Sequence, residues 1–118
     1  MNKSILGLSE PVKVKGTKGS TVEILARIDT GATSSSIDSG LAKHLELGPV
    51  LHLKTVKSAS GVKKREIMKV NILLKEIELE EEFTLADRSH MTYPMLIGQN
   101  ILKKGNFLID PLKTVEDQ

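Results

Sequence analysis

Thr21-Val22-Glu23-Ile24-Leu25-Ala26-Arg27-Ile28-Asp29-Thr30-Gly31-Ala32 decides how this chain is read. Val22, Ile24, Ala26 and Ile28 recur at every second position, the period of a strand with one buried face. The strand runs into Asp29-Thr30-Gly31 and stops. One reading of that tripeptide is a plain turn, since Asp bonds nearby backbone and Gly tolerates positive φ. The other is chemical. Two carboxylates held close together cannot both ionise, so such a pair keeps one proton and can hold a water between its members. One carboxylate then takes a proton from the water while the other gives one to a carbonyl oxygen. This chain has a single Asp-Thr-Gly. That chemistry therefore needs a second copy across a two-fold axis, with Asp29 meeting its own mate.

Outward from this segment the same period returns. Pro11 to Lys15 alternates, and Gly16 to Ser20 carries two glycines and reads as a turn. After Ala32 comes a Ser-rich stretch ending in Ile37. Ser39 to Leu47 spaces Leu41, Ala42 and Leu45 as a short helix does, with Asp38 or Ser39 as its cap and Gly48-Pro49 as its end. Leu51 to Lys57, Glu66 to Leu74 and Ile77 to Ala86 read as strands. The polar, glycine-bearing Ser58 to Lys64 reads as a loop or hairpin tip. Glu80-Glu81-Glu82 reads as a solvated edge or face. Pro94 to Gly98 is a compact apolar strand, Asn100 to Lys104 one helical turn, and Phe107 to Ile109 a last strand closed by Asp110-Pro111. No internal repeat or low-complexity linker interrupts the order, so residues 1–118 are expected to form one domain.

Composition narrows the function. Apolar residues make up 39% and charged residues 27%, as in an ordinary folded domain, while aromatics are only 3%. The core must come from Ile, Leu and Val. A formal charge of +2 and the near absence of stacking side chains argue against nucleic acid or an anionic membrane as partner. With no cysteine there is no disulfide, iron–sulfur cluster or thiol nucleophile. No stretch reaches the roughly 18 apolar residues of a membrane span, and the start lacks a signal-peptide run. A cytoplasmic protein is the expectation.

Three blocks in this order resemble the retropepsin-like aspartic peptidases, the superfamily of the retroviral proteases. They are the strand into Asp29-Thr30-Gly31-Ala32, a central hairpin around Ser58-Ala59-Ser60-Gly61, and Met95-Leu96-Ile97-Gly98-Gln99-Asn100-Ile101-Leu102. Together with Arg27-Ile28, Tyr93-Pro94 and Phe107-Leu108-Ile109-Asp110-Pro111 they are also similar to a microbial group often labelled putative ATP-dependent zinc proteases. The resemblance implies an all-β, retropepsin-like (acid protease) closed barrel with one or two short helices, one lobe per chain. It implies a homodimeric aspartic endopeptidase acting on a peptide or protein substrate. Asp29 would be the catalytic carboxylate. Thr30 would lend its hydroxyl to a lattice between the two chains, and Gly31 would let the substrate backbone approach. Ala32 would line the floor, and Ser58, Ala59, Ser60 and Gly61 would form a flap over the substrate. Ile97 and Gly98 would pack beneath the loop.

Two positions depart from the retroviral pattern. An acidic residue just after Ala32 pairs there with an arginine just after Gly98; here the positions hold Thr33 and Gln99, so both charges are absent together. The flap has one glycine where retroviral flaps are glycine-rich. A different function class therefore stays open: a non-catalytic peptide-binding or assembly module that keeps the fold, since a groove binds extended peptides whether or not it cuts them. A metallohydrolase would need ligands that the pattern does not supply. His44, His52 and His90 are scattered, with no His-Glu-x-x-His, and no Gly-Lys-Ser/Thr loop suits ATP. No metal and no cofactor is expected.

Overall fold

The computed structural model describes residues 3–58 and 61–115. Along them run β1 (Ile5–Leu6), β2 (Ser9–Lys15), β3 (Thr21–Ile28), β4 (Ser35–Asp38), α1 (Ser39–His44), β5 (Val50–Ser58) and β6 (Gly61–Leu74). Then come β7 (Ile77–Ala86), β8 (Met95–Ile97), α2 (Gln99–Lys104) and β9 (Leu108–Ile109).

The alternation read in the sequence becomes pairing. β2 and β3 form an antiparallel hairpin from Ser9↔Arg27 to Lys15↔Thr21. The end of β3 pairs parallel with β8, Ala26↔Met95 to Ile28↔Ile97. β8 pairs antiparallel with β4, β4 parallel with β7, and β7 antiparallel with β6. β6 then returns to β2 at Lys13↔Leu73 to Lys15↔Asn71, which closes a six-stranded barrel. Closure removes the open edges that a free sheet would leave. The first part of β6 leaves the barrel and pairs with β5, giving a long hairpin that ends at Ser58↔Gly61. β1 and β9 form a separate two-stranded parallel sheet.

Val12 and Val14, Ala26 and Ile28, Val70 and Ile72, and Met95 and Ile97 point into one aliphatic core around Phe83, its buried aromatic. The all-β barrel with two short helices is therefore as expected.

Several local expectations change. α1 stops at His44, short of Leu47, because Glu46 turns into the left-handed region (φ 55) while Leu47 N–H donates to the Ala42 carbonyl. Its cap is Asp38, whose Oδ2 accepts from Leu41 N at 3.1 Å. Ser58 to Lys64 is not a loop over its whole length. Val62, Lys63 and Lys64 belong to β6 and pair with Lys57, Val56 and Thr55, so backbone pairing overrides the polar composition. The tip residues Ala59 and Ser60 lie outside the described residues. The Ser-rich stretch contains strand β4, with Ser35 fully buried. β1 and the first two residues of β2 were not expected. In the Glu80-Glu81-Glu82 run, Glu80 is exposed while Glu81 and Glu82 are half-buried.

Candidate active site

β3 delivers Asp29 at the point where the chain leaves the barrel wall. Three backbone bonds fix the loop that follows. Asp29 N–H donates to the Ile97 carbonyl (2.9 Å), Ala32 N–H to the Asp29 carbonyl (3.3 Å), and Gln99 N–H to the Ala32 carbonyl (2.8 Å). The Asp29 side chain is half-buried, and its Oδ1 accepts from Gly31 N at 3.0 Å. Among the described residues its Oδ2 accepts no hydrogen bond.

The two glycines near the loop differ. A Cβ on Gly98 would meet the Ser34 and Ala32 carbonyl oxygens at 2.2 and 2.8 Å, so β8 and the loop can approach this closely only without a side chain there. A Cβ on Gly31 would meet only Asp29 Oδ1, at an ordinary 3.4 Å. Among the described residues nothing requires glycine at position 31.

Gln99, which stands where retroviral members carry an arginine, still braces the loop. Its Nε2 donates to the Thr30 carbonyl at 2.8 Å. The brace is neutral and lies within one chain, and Thr30 and Thr33 are exposed. Beneath it, buried Ser35 receives Gly98 N–H at 2.9 Å and donates its hydroxyl to Asn100 Oδ1 at 2.7 Å. Asn100 Nδ2 in turn donates to the Glu82 carbonyl at 3.0 Å. Loop, α2 and β7 are thus joined by one polar chain that the sequence reading missed. A buried hydroxyl needs such partners, but these lie in distant parts of the sequence.

Asp29, Thr30, Gly31 and Ala32 come together on the one loop. Ser58 and Gly61 oppose each other at the far end of the β5–β6 hairpin. The hairpin meets the loop lower down, in a hollow of about 550 Å³ where His52, Lys54 and Ile67 face Ser34, Asn100, Thr84, Glu81 and Glu82. His52 Nε2 lies 3.8 Å from Glu82 Oε1. His44, His52 and His90 stand on a helix, a strand and a loop, and no cluster of three metal-ligating side chains occurs among the described residues. Among them, too, no helix is long and apolar enough to cross a membrane.

A protein-family model described as RimB-like, retropepsin-like aspartic endopeptidase RimB, matches residues 40–117, about two thirds of the chain. The chain belongs to the RimB-like family. The match begins at Gly40, so Asp29 to Ala32 lie before it.

Solved structures agree on the fold of this RimB-like chain. The Legionella pneumophila protein Lpg0085, of unknown function, aligns with a TM-score of 0.69 at 20% identity, over 99% of this chain and 100% of that one. The EIAV protease, solved with the inhibitor HBY-793, aligns at 0.63 and 18% identity over 81% and 85%. The simian foamy virus protease aligns at 0.58 and 14% identity over 79% and 91%. No curated protein matches. The narrower likeness to proteins labelled ATP-dependent zinc proteases has no counterpart in these descriptions.

Proposed function

We propose that this RimB-like chain is a homodimeric aspartic endopeptidase whose site forms when two Asp29 carboxylates meet across a two-fold axis. The observation that carries the reading is the held loop. Asp29 is fixed by backbone bonds on both sides, and its Oδ2 accepts no hydrogen bond among the described residues. The slack at Gly31 adds support, since a glycine that its own chain does not need suits a site where a substrate backbone or a partner loop comes close. In the dimer the pair shares one proton. The ionised member draws a proton from the water as its oxygen attacks the peptide carbonyl, and the protonated member gives its proton to the carbonyl oxygen. Collapse of the tetrahedral diol then breaks the C–N bond: the carboxyl that took the water's proton gives it to the leaving amine, and the other carboxylate takes a proton from a diol hydroxyl, which restores the shared proton.

The charge of the hairpin favours acidic peptides. Between Val50 and Glu66 stand Lys54, Lys57, Lys63, Lys64 and Arg65 against the single acid Glu66. Lys54 and Arg65 are directly opposite each other across the ladder. Like charges so placed destabilise a hairpin, and an acidic ligand beside them would relieve that repulsion. Lys54 also lines the hollow that meets the loop.

The deciding experiment is Asp29→Asn, assayed on acidic and neutral peptide libraries from pH 4 to pH 8. Asn keeps the shape and can still hydrogen-bond, but it cannot share the proton. The expected result is wild-type cleavage that is best at acidic to mildly acidic pH, and none by the variant, with an unchanged thermal midpoint at mildly acidic pH. Undiminished cleavage by Asp29→Asn ends the reading. Binding without cleavage by either protein points instead to a peptide-binding module on the same fold.

A further inference from the structure

A second cationic pair stands apart from the hairpin, on the face of the barrel that carries Asp29. Arg27 precedes Asp29 by two positions, the strand period that puts both on one face, opposite to buried Ala26 and Ile28. The ladder extends that position sideways. Arg27 pairs with Leu96 on β8, Leu96 with Ser36 on β4, and Ser36 with Thr84 on β7. Side chains at paired positions share a face, so Arg27, Leu96, Ser36 and Thr84 form one row across these strands. One end of the row lies beside Asp29. The other, Thr84, lines the hollow with His52 and Lys54. Leu96, Ser36 and Thr84 are half-buried, and Arg27 is exposed.

Arg88 reaches this row from the loop between β7 and β8. Its backbone N–H donates to Asp38 Oδ1 at 2.8 Å, its Nε to the Tyr93 carbonyl at 2.9 Å and its Nη1 to Ser36 Oγ at 3.4 Å. Asp38 N–H donates to the Pro94 carbonyl (2.8 Å), so both ends of the loop are tied to the end of β4. The guanidinium is thus held against Ser36 in one orientation. Burial, and then the nearby Arg27 guanidinium, hold its pKa below the usual arginine range, against the attraction of Asp38.

Two guanidiniums so placed repel each other. Asp38 is the nearby acid, and its two oxygens are taken by the backbone N–H groups of Arg88 and Leu41. Among the described residues Arg27 makes no side-chain hydrogen bond or ion pair, and Arg88 Nη2 makes no hydrogen bond. Holding the loop explains Arg88 by itself. It gives no reason for a second arginine beside it, where the repulsion goes uncompensated. A guanidinium presents a planar fork of donors that fits a carboxylate by two bonds. A carboxylate over Leu96 would meet one fork already held and another free to close.

We propose that Arg27 and Arg88 form a carboxylate clamp beside Asp29 and are the specificity-determining residues for a substrate group flanking the bond that is cut. This rests on the reading of Asp29 as the cleaving group. It also separates two roles of positive charge: the hairpin attracts acids at any position of the peptide, while the clamp reads a carboxylate at one. That carboxylate belongs to an acidic side chain or to the end of the chain.

The test measures kcat/KM on amidated peptide pairs that differ only in Glu or Gln at one position, moved stepwise along the peptide. A second set carries Gln and differs in a free or amidated C-terminus one residue beyond the cleaved bond. The expected result is a wild-type preference for the carboxylate of about tenfold or more at one flanking position, the worth of a charge-assisted bond. The first set assigns it to a side chain, the second to a chain end. Arg27→Met should bring that ratio close to one, and Arg27→Lys, which keeps the charge without the fork, should restore only part of it. Arg88→Lys should lower the ratio too, with a loss of thermal midpoint that the Arg27 variants do not share, because Nε also holds the loop. Wild-type cleavage with no such preference, or with one that Arg27→Met leaves unchanged, overturns the clamp and spares the peptidase reading. The same pairs, fluorescently labelled, are also bound to Asp29→Asn with and without Arg27→Met and followed by anisotropy. If wild type cleaves nothing, the peptidase reading falls. A binding preference for the carboxylate that Arg27→Met removes then still upholds the clamp, and an absent or unchanged preference overturns it as well.

Discussion

Gly98 lies directly against the backbone of Ser34, so close that a Cβ would come within 2.2 Å of the Ser34 carbonyl oxygen. Because Ser34 O and Ala32 O are both backbone atoms, no side-chain rotation can make room. Gly98→Ala should therefore push the Asp29 loop off β8 and cost about 1–3 kcal/mol, as overpacking does. Gly31→Ala is the control within the same loop. Its Cβ would find ordinary contact, so stability should change by less than about 1 kcal/mol while peptide cleavage is lost. Urea denaturation and a cleavage assay on both variants separate the two roles. Equal destabilisation by both would contradict the distinction.

Ser35→Ala should be costly for a different reason. The hydroxyl receives Gly98 N–H and donates to Asn100 Oδ1. Its removal leaves the buried Gly98 N–H without an acceptor, worth about 1–3 kcal/mol, while Asn100 Oδ1 keeps the Ile101 N–H at 3.0 Å. The hydrogen bond from the Ser35 hydroxyl to Asn100 Oδ1 predicts that Ser35→Ala and Asn100→Ala are strongly non-additive. A double-mutant cycle by chemical denaturation reads this directly, and simple additivity would mean that the two residues act apart.

The cationic hairpin makes a prediction about salt. Lys54→Gln should lower kcat/KM for an acidic peptide several-fold at low ionic strength, with little change for a neutral one, since exposed charges are each worth up to about 1 kcal/mol. The difference should fade as salt is raised, because the charges lie in solvent. Thermal stability should hold or rise slightly, since a repulsive rung has been removed. An effect that persists undiminished in high salt would assign Lys54 a packing role instead.

Asp87 supplies a pH prediction. The hydrogen bonds from the Ser89 hydroxyl and backbone N–H hold its carboxyl below the usual range. A depressed folded value gives stability that is present above the unfolded value and lost as pH falls through the folded one. Ser89→Ala removes the larger cause. Wild type should exceed the variant by a small, constant margin from about pH 5 upward, and the margin should close below about pH 4, where the unfolded carboxylate begins to protonate. Thermal midpoints across that range check it. A margin that widened toward low pH would reverse the sign and refute the linkage.

Much of the barrel was legible because its strands obey one simple period. Val22, Ile24, Ala26 and Ile28 announce β3, and the pair Asp38-Ser39 announces the helix, which Asp38 caps. β4 escaped because Ser35 and Ser36 carry no apolar signal. What buries Ser35 is a bond from Gly98 and another to Asn100, more than sixty positions away. Glu10 escaped for a subtler reason. It shares a face with Val12 and Val14, so the alternation already aimed it inward. A carboxylate there reads as the end of a strand unless its partner is known, and Lys113 stands 103 positions along the chain. The hairpin is legible, but its strands reach further toward the tip than the polar, glycine-bearing Ser58 to Lys64 suggests, because a two-stranded ladder away from the barrel leaves both of its faces free to carry polar residues. Of the site, the loop could be read residue by residue. The neutral Gln99 brace and the polar chain beneath it could not, because they exist only once α2 has been packed against β7.

Lys3 and Lys113 line one hollow on the surface, so the two ends of the described chain lie side by side next to β9. In a pair whose two-fold axis runs beside this hollow, all four ends would gather there, and a short tether would lead from one copy to the start of the next. Joined in this way, two lobes would meet at an effective concentration in the millimolar range however dilute the solution. Pairing would no longer depend on how much protein is present, and each lobe would become free to change its sequence independently of the other.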